Sequence, residues 1–149
     1  MNNGLVKIIT GIRRSGKSFL LFNLFKNYLL EKGVSEDSII SVILDNDFYS
    51  TLRNPLTLGK YIRERITDPR KNYYVLIDEI QFVEKIKNPN LPQSYITFYD
   101  VLNGLLSYNN VDIYITGSNS KMLSKDILTE FRGRGDQIHI YPLRIKELY

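Results

Sequence analysis

Cysteine is absent from the 149-residue sequence, and histidine occurs only once, at His139. Without cysteine the chain can form no disulfide bond, no thiolate metal site and no cysteine nucleophile. A single histidine also excludes a zinc site built from several histidines. These absences exclude disulfide scaffolds, thiol enzymes and multi-histidine metalloenzymes.

Long hydrophobic runs and a strong charge excess are also missing. The longest apolar stretch, FLLFNLFKNYLL, contains Asn23, Lys26 and Asn27, so it is too short and too polar to span a bilayer. The first residues, MNNGLVKIIT, have no basic region followed by an apolar run, so no signal peptide is visible. The net charge of +4 favours anionic partners in general, but its scattered distribution does not indicate nucleic acid. We therefore expect a cytoplasmic protein with no membrane partner.

Apolar runs typical of buried strands alternate along the chain with helical patterns. Strands are predicted at residues 5–10, 38–45, 73–78, 111–116 and 137–141. Helices are predicted at 18–32, mostly buried and ended by Gly33, after Pro55 with Thr57 as N-cap, at 94–108, and in a short stretch around 123–131. Such alternation indicates an α/β fold with a parallel sheet covered on both faces.

A glycine-rich segment, GIRRSGKS at residues 11–18, matches the phosphate-loop pattern GxxxxGK[ST] and lies between a predicted strand and a predicted helix. Two glycines let the loop turn tightly, so that backbone N–H groups and a helix N-terminus face a phosphate. Lys17 can then reach the β- and γ-phosphates, and the Ser18 hydroxyl can bind Mg²⁺. Arg13 and Arg14 either touch phosphate or are solvated loop charges. The predicted nucleotide-binding residues are Gly11, Arg13, Arg14, Ser15, Gly16, Lys17, Ser18 and Phe19.

Two acids, Asp78 and Glu79, follow the apolar run YYVLI at the carboxyl end of the third predicted strand. Ligands bind at that edge of open parallel sheets. An Asp in this place holds Mg²⁺ in phosphate-loop proteins, so Ser18 and Asp78 are the predicted metal ligands. The adjacent Glu79 can polarise a water toward the γ-phosphate as a general base, which favours a hydrolase over a kinase or a passive binder.

Polar residues also end the fourth predicted strand, in the segment TGSNS at 116–120. If this strand lies between the first and the third, these groups face the γ-phosphate. Thr116 and Asn119 are then candidate catalytic residues that sense the phosphate or hold the attacking water. The alternative is that Ser118 or Ser120 simply caps the next helix.

Two arginines, Arg132 and Arg134, lie on either side of a glycine in TEFRGRGDQ. The planar guanidinium donates two parallel hydrogen bonds, which suits the oxygens that gain charge during phosphoryl transfer. One arginine can complete the site from its own or a neighbouring subunit. The other reading is a solvated turn paired with Glu130 or Asp136.

Five segments in order resemble the ATPase domain of a prokaryotic AAA-type P-loop family: GIRRSGKS, YVLIDEIQ, IYITGSNSKML, FRGRG and YPLRIKELY. In that family the domain is often followed by a winged-helix and nuclease-like domain. The resemblance covers essentially the whole chain. It implies a P-loop NTPase three-layer sandwich, a five-stranded parallel sheet ordered 5-1-4-3-2, and ATP with Mg²⁺ as ligands. The segment at residues 83–95, VEKIKNPNLPQSY, is longer than is usual in the family.

The same resemblance assigns roles to individual residues. Lys17 and Ser18 fall in its first motif, Asp78 and Glu79 in its second, and residues 116–118 on its sensor strand. Arg134 matches the second residue of the family's GR pair, whereas Arg132 matches no fixed position.

We therefore expect residues 1–149 to form a single ATPase domain, the N-terminal part of a longer protein. It would hydrolyse ATP to ADP and phosphate with Mg²⁺ and so drive a conformational change. Arg134 would act within a homo-oligomer, from a neighbouring subunit, and a following domain would contact DNA. The alternative is a slow nucleotide-dependent switch or DNA-associated regulator with little intrinsic hydrolysis. A nucleotide kinase is less favoured, because no lid or acceptor pocket is evident.

Overall fold

The computed structural model describes residues 5–9, 20–116 and 139–143. Within these ranges the strands are β1 (Leu5–Ile9), β2 (Ile39–Ile43), β3 (Tyr73–Asp78), β4 (Ile86–Lys87), β5 (Tyr95–Ile96), β6 (Val111–Ile115) and β7 (His139–Leu143). The α-helices are α1 (Lys26–Glu31), α2 (Pro55–Arg63) and α3 (Phe98–Leu105). π-Helical turns at Leu20–Phe25 lead into α1, and short 3₁₀ segments lie at Glu36–Ser38, Asp47–Arg53 and Ile80–Phe82. In these described ranges no helix has the length and hydrophobicity needed to cross a membrane.

Five of the strands form one parallel sheet in the order β2-β3-β6-β1-β7. Numbered along the sequence and counted from the β7 edge, this is the order 5-1-4-3-2 that the resemblance implies. Strand β7 is described over residues 139–143, so it includes Pro142 and extends past the predicted end at residue 141; residues 137 and 138 of the predicted strand lie outside the described residues. Proline is tolerated there because β7 lies at the edge of the sheet that the described strands form, with β1 as its one partner among them.

The central strands are apolar because helices cover both faces of the sheet. Every residue of β6 is buried. Side chains alternate between the faces of a strand, so Ile77 packs in one cluster with α2 and α3, whereas Leu76 packs on the other face against Phe25 and Leu29. The described residues therefore form three layers, with the sheet in the middle.

The first helical segment ends as its sequence predicts. Gly33 has φ +90°, a left-handed conformation that glycine adopts without steric cost. Its N–H donates to the Leu30 carbonyl at 3.1 Å, and the N–H of Val34 donates to the Leu29 carbonyl at 3.0 Å. These two bonds form a Schellman motif, so the prediction of Gly33 as the terminating residue is confirmed.

The expectation that this helix is mostly buried is wrong for the residues whose burial is described. Between residues 23 and 31 only Phe25 and Leu29 are buried, while Tyr28 and Leu30 are 41% and 39% exposed. The helix lies on one face of a sheet, so only a narrow stripe of it meets the core. Apolar residues outside that stripe remain in contact with solvent.

Helix α2 begins earlier than predicted, and Thr57 is not its cap. The side-chain oxygen of Asn54 accepts hydrogen bonds from the N–H groups of Leu56 at 2.9 Å and Thr57 at 3.3 Å. Pro55 occupies the first helical position, where its missing N–H costs nothing. Asn followed by Pro is therefore the stronger helix-start signal here.

Helix α3 begins at Phe98 rather than at the predicted Ser94. The preceding residues, Tyr95–Ile96, pair instead with Ile86–Lys87 to form a two-stranded antiparallel hairpin. The hydroxyl of Thr97 then accepts the N–H of Tyr99 at 3.2 Å, and the Asp100 carboxylate accepts the N–H of Thr97 at 2.8 Å. This capping box fixes the start of the helix, and the unusually long segment after the acidic pair is largely this hairpin.

Candidate functional site

The candidate site lies where β3 and β6 end side by side. The register pairs Ile77 with Ile115, so Asp78 and Thr116 come next to each other at the carboxyl edge of the sheet. Both residues are fully buried, at 0% exposure. Strand β2 ends at the same edge, where the N–H of Leu44 donates to the Asp78 carbonyl at 3.3 Å. Three of the predicted site residues, Asp78, Glu79 and Thr116, are thus brought together.

Thr116 contacts the acidic segment through its hydroxyl and through its main chain. The hydroxyl donates a hydrogen bond to Oδ1 of Asp78 and accepts one from the N–H of Glu79 at 2.9 Å. The main-chain N–H of Thr116 donates to the Ile77 carbonyl, and its carbonyl accepts the N–H of Ile80, both at 3.0 Å. In this conformation the hydroxyl proton of Thr116 therefore lies in a hydrogen bond to the Asp78 carboxylate.

Glu79 has an unusual backbone and an unusual side-chain environment. Its φ and ψ are both 58°, which is the left-handed region, and it is the sole non-glycine residue with positive φ in the part of the chain that the structure describes. Its Oε1 atom is buried and has no hydrogen-bond partner among residues 5–9, 20–116 and 139–143. Backbone strain and an unsatisfied buried carboxylate oxygen are both costly, and such features concentrate at functional sites.

The remaining predicted site residues lie outside the described residues. They are Gly11, Arg13, Arg14, Ser15, Gly16, Lys17, Ser18, Phe19, Asn119, Arg132 and Arg134. The strand that precedes the phosphate-loop segment is described, however. Because β1 runs parallel to β6 and pairs Ile8 with Ile115, the chain leaves β1 at the same edge that carries Asp78 and Thr116.

The carboxylate at this edge fits Mg²⁺ better than a metal that needs several protein ligands. No group of three or more His, Cys, Asp or Glu residues that could hold a metal ion occurs within residues 5–9, 20–116 and 139–143. Mg²⁺ in phosphate-binding sites takes one or two carboxylates and completes its coordination with phosphate oxygens and water. Asp78, one buried carboxylate at the carboxyl edge, suits that pattern.

Arg53, which the sequence analysis does not predict as a site residue, contacts the segments that follow β2 and Glu79. Its Nε donates to the Leu44 carbonyl at 2.8 Å, and its guanidinium lies 5.0 Å from the centre of the Phe82 ring. Its carbonyl accepts the N–H of Glu84 at 2.6 Å. Arg53 thus joins the segment after β2 to the segment after Glu79. No motif marks it, because these contacts depend on the neighbouring positions of β2 and β3.

A second concave region lies away from the acidic pair. A cavity of about 560 Å³ is bordered by the first residues of β2 and β3, including Ile39 and Tyr73, together with Lys26, Arg65 and Lys71. It adjoins the amino ends of these strands, whereas Asp78 closes the carboxyl end of β3. The cavity is therefore not part of the candidate site.

Comparison with known proteins gives one family and two curated relatives. The model of a family described as an AAA domain matches residues 3–149. An uncharacterized protein of Haemophilus influenzae is 35% identical over 142 residues, which are 95% of this chain and 32% of the relative. An uncharacterized protein of Methanocaldococcus jannaschii is 32% identical over 146 residues, which are 95% of this chain and 27% of the relative. The chain thus spans about a third or less of the length of these relatives.

Proposed function

Because this chain belongs to the AAA domain family, we propose that it binds ATP with Mg²⁺ and hydrolyses it to ADP and phosphate, and that this reaction drives a conformational change. The observation that carries the proposal is Glu79. It has a left-handed backbone and a buried carboxylate oxygen that no described residue hydrogen-bonds, and it lies next to the buried Asp78 at the carboxyl edge of a parallel sheet. That edge is where ligands bind in sheets of this type.

We assign the phosphate end of ATP to the GIRRSGKS segment, because β1, which precedes it in the sequence, ends at the same edge as β3 and β6. Its backbone N–H groups would surround the phosphates, and Lys17 would neutralise their charge. Ser18 and Asp78 would hold Mg²⁺, which when bound offsets the charge that develops on the β- and γ-phosphate oxygens. Arg13 and Arg14 would add positive charge at the rim of the loop.

Glu79 is the proposed general base. Its carboxylate takes a proton from a water molecule, whose oxygen bonds to the γ-phosphorus as the bond from that phosphorus to the bridging oxygen of ADP breaks. Among the described residues no donor bonds to Oε1 of Glu79, so no protein hydrogen bond there has to be broken before that oxygen accepts the proton. Asn119 would orient the water or sense the γ-phosphate.

Arg134 is proposed to complete the site from the same subunit or from a neighbouring one in a homo-oligomer. Its guanidinium would donate to the γ-phosphate oxygens. The relatives are about three to four times as long as the matched region. We propose that DNA, if it is a partner, binds to a region outside this domain. Such binding would weaken steeply as salt is raised.

One observation favours the alternative of a slow nucleotide-dependent switch. Oε1 of Glu79 is shielded from solvent in this conformation, so that oxygen does not meet bulk water. A switch of this kind would bind ATP tightly and turn it over only after Glu79 had moved. Measured phosphate release separates the two functions.

The proposal is tested with Lys17→Ala and Glu79→Gln in the full-length protein. We expect Lys17→Ala to lose ATP binding. We expect Glu79→Gln to bind ATP normally and to release phosphate about 10²–10⁴-fold more slowly, the usual contribution of a general base. Glu84→Gln is the matched control, because Glu84 is an exposed acid close by in the sequence and should be silent. Normal turnover in Glu79→Gln, or normal ATP affinity in Lys17→Ala, would contradict the assignment.

A further inference from the structure

Thr116 hydrogen-bonds to the segment that carries Asp78 and Glu79, and its own side chain has no surface exposed to solvent. We propose that Thr116 is a positioning residue, which sets the conformation of Glu79 and the orientation of the Asp78 carboxylate. It acts through those two residues and does not touch the γ-phosphate. This inference rests on the proposed function, since the acidic pair is the part of the site that Thr116 positions.

The hydroxyl of Thr116 is already occupied. A threonine hydroxyl has one proton to donate and two lone pairs to accept with. The proton goes to Oδ1 of Asp78, and a lone pair receives the N–H of Glu79. Because Thr116 has 0% exposure, its second lone pair does not face solvent either, and a ligand at the sheet edge does not reach the hydroxyl in this conformation.

The left-handed backbone of Glu79 is held from both sides by this one residue. The N–H of Glu79 itself bonds to the Thr116 hydroxyl, and the next N–H along the chain, that of Ile80, bonds to the Thr116 carbonyl. A strained conformation persists only where surrounding bonds over-determine it. Since the two peptide N–H groups that flank the Glu79 Cα are fixed, the direction of its Cα–Cβ bond is fixed as well.

The same hydroxyl orients the proposed metal ligand. A hydrogen bond from a neutral donor to an ionised carboxylate is strong and restricts rotation of the carboxylate. Partners of this kind, one step removed from a metal, are typically needed for full affinity or activity. One hydroxyl therefore links the orientation of the Asp78 carboxylate to the placement of Glu79.

Three substitutions test the inference in the full-length protein. Thr116→Val keeps the shape of the side chain and removes the hydroxyl, whereas Thr116→Ser keeps the hydroxyl. We expect Thr116→Val to lower kcat for phosphate release by about 10–100-fold, with KM for ATP little changed, and Thr116→Ser to restore most of the rate. If the valine variant does not fold, Thr116→Cys replaces it, because a thiol is only a weak donor and acceptor.

Thr97→Val is a matched control. The Thr97 hydroxyl also accepts a backbone N–H, that of Tyr99, and lies beside an aspartate, Asp100, but these bonds lie within the first turn of α3. We expect Thr97→Val to lower the melting temperature without changing kcat. If both valine variants lose kcat, the loss in Thr116→Val reflects general destabilisation of the domain, and the positioning role is contradicted.

A measurement without ATP keeps this inference separate from the proposed function. Hydrogen–deuterium exchange, followed on peptides covering residues 77–82, should show lost protection in Thr116→Val and wild-type protection in Thr97→Val. Unchanged exchange in Thr116→Val would overturn the positioning role even if the protein hydrolyses ATP. A raised KM with normal kcat would also overturn it, since Thr116 would then contact ATP. If the wild-type protein has no ATPase activity while the exchange result holds, the proposed function fails and the structural role of Thr116 stands.

Discussion

Replacing Glu79 by glycine should produce an inactive protein that is more stable than the Glu79→Ala variant. Glu79 holds a left-handed backbone at φ 58°, which costs an L-residue about 1–2 kcal/mol and costs glycine almost nothing. Glycine also lowers the free energy of unfolding by about 0.5–1 kcal/mol, because it has more conformational freedom in the unfolded chain. The net backbone gain is therefore between about 0 and 1.5 kcal/mol, with a midpoint of about 0.75 kcal/mol.

The comparison that isolates this gain is Glu79→Gly against Glu79→Ala. Both variants lose the carboxylate with its unsatisfied buried oxygen, so both should lose turnover. Only the glycine variant also relieves the backbone. We expect it to melt higher than the alanine variant by a few degrees, since 1 kcal/mol shifts the melting temperature by about 2–4 °C in a domain of this size.

The result needs a control at a residue with an ordinary backbone. Gln81 is exposed, lies two residues away and has negative φ. There the order should reverse, with Gln81→Gly less stable than Gln81→Ala by about 0.5–1 kcal/mol. If Glu79→Gly is less stable than Glu79→Ala in thermal or urea unfolding, Glu79 does not occupy the left-handed region and the strain argument fails.

Two further pairs of variants test the fold. Gly33→Ala should destabilise by about 1 kcal/mol because φ +90° disfavours any side chain, whereas Gly104→Ala, inside α3 with nothing near a new Cβ, should stabilise by about 0.5–1 kcal/mol; equal signs in urea unfolding would contradict the assigned backbone. Asn54→Ala should cost about 1 kcal/mol as the loss of a helix cap, and Thr57→Ala should be nearly neutral; a larger loss at Thr57 would restore the cap that the sequence suggested.

The parts of the fold that depend on local chemistry could be predicted from the sequence. Gly33 ends its helix as expected, because only glycine readily takes the left-handed position that a Schellman motif needs. The apolar run YYVLID forms a strand over the predicted residues. Asn54 and Thr57 are both residues that can cap a helix start, and the sequence pattern predicts Thr57, whereas the structure has Asn54 as the cap.

The parts that depend on distant partners could not be predicted. The start of α3 was placed too early because Tyr95–Ile96 pair with residues on the other side of a loop, and no helical periodicity shows that pairing. The exposure of Tyr28 and Leu30 depends on how wide a stripe of the helix the sheet can cover. In both cases the neighbours decide the outcome, and these neighbours are far away in the sequence.

The candidate site divides in the same way. That Asp78, Glu79 and Thr116 meet at one edge follows from strands that run parallel and end together. The Thr116 hydroxyl donates to Asp78, and Glu79 has a left-handed backbone. Both features depend on atomic contacts between β3 and β6 that no sequence pattern encodes. The sequence therefore located these residues and left the role of Thr116 open.

The position of β1 in the sheet also has a consequence for how the chain folds. β1 comes first in the sequence, yet Val6 pairs with Ile113 on one side and Ile140 on the other. Strands β2 and β3 are adjacent in the sequence and can pair as soon as both have left the ribosome, whereas β1 must wait for β6 and β7. Pairings between distant segments form slowly, because the intervening chain must first be ordered. The segment that follows β1, which holds the proposed phosphate loop, is therefore expected to reach its working position only after β6 has been synthesised.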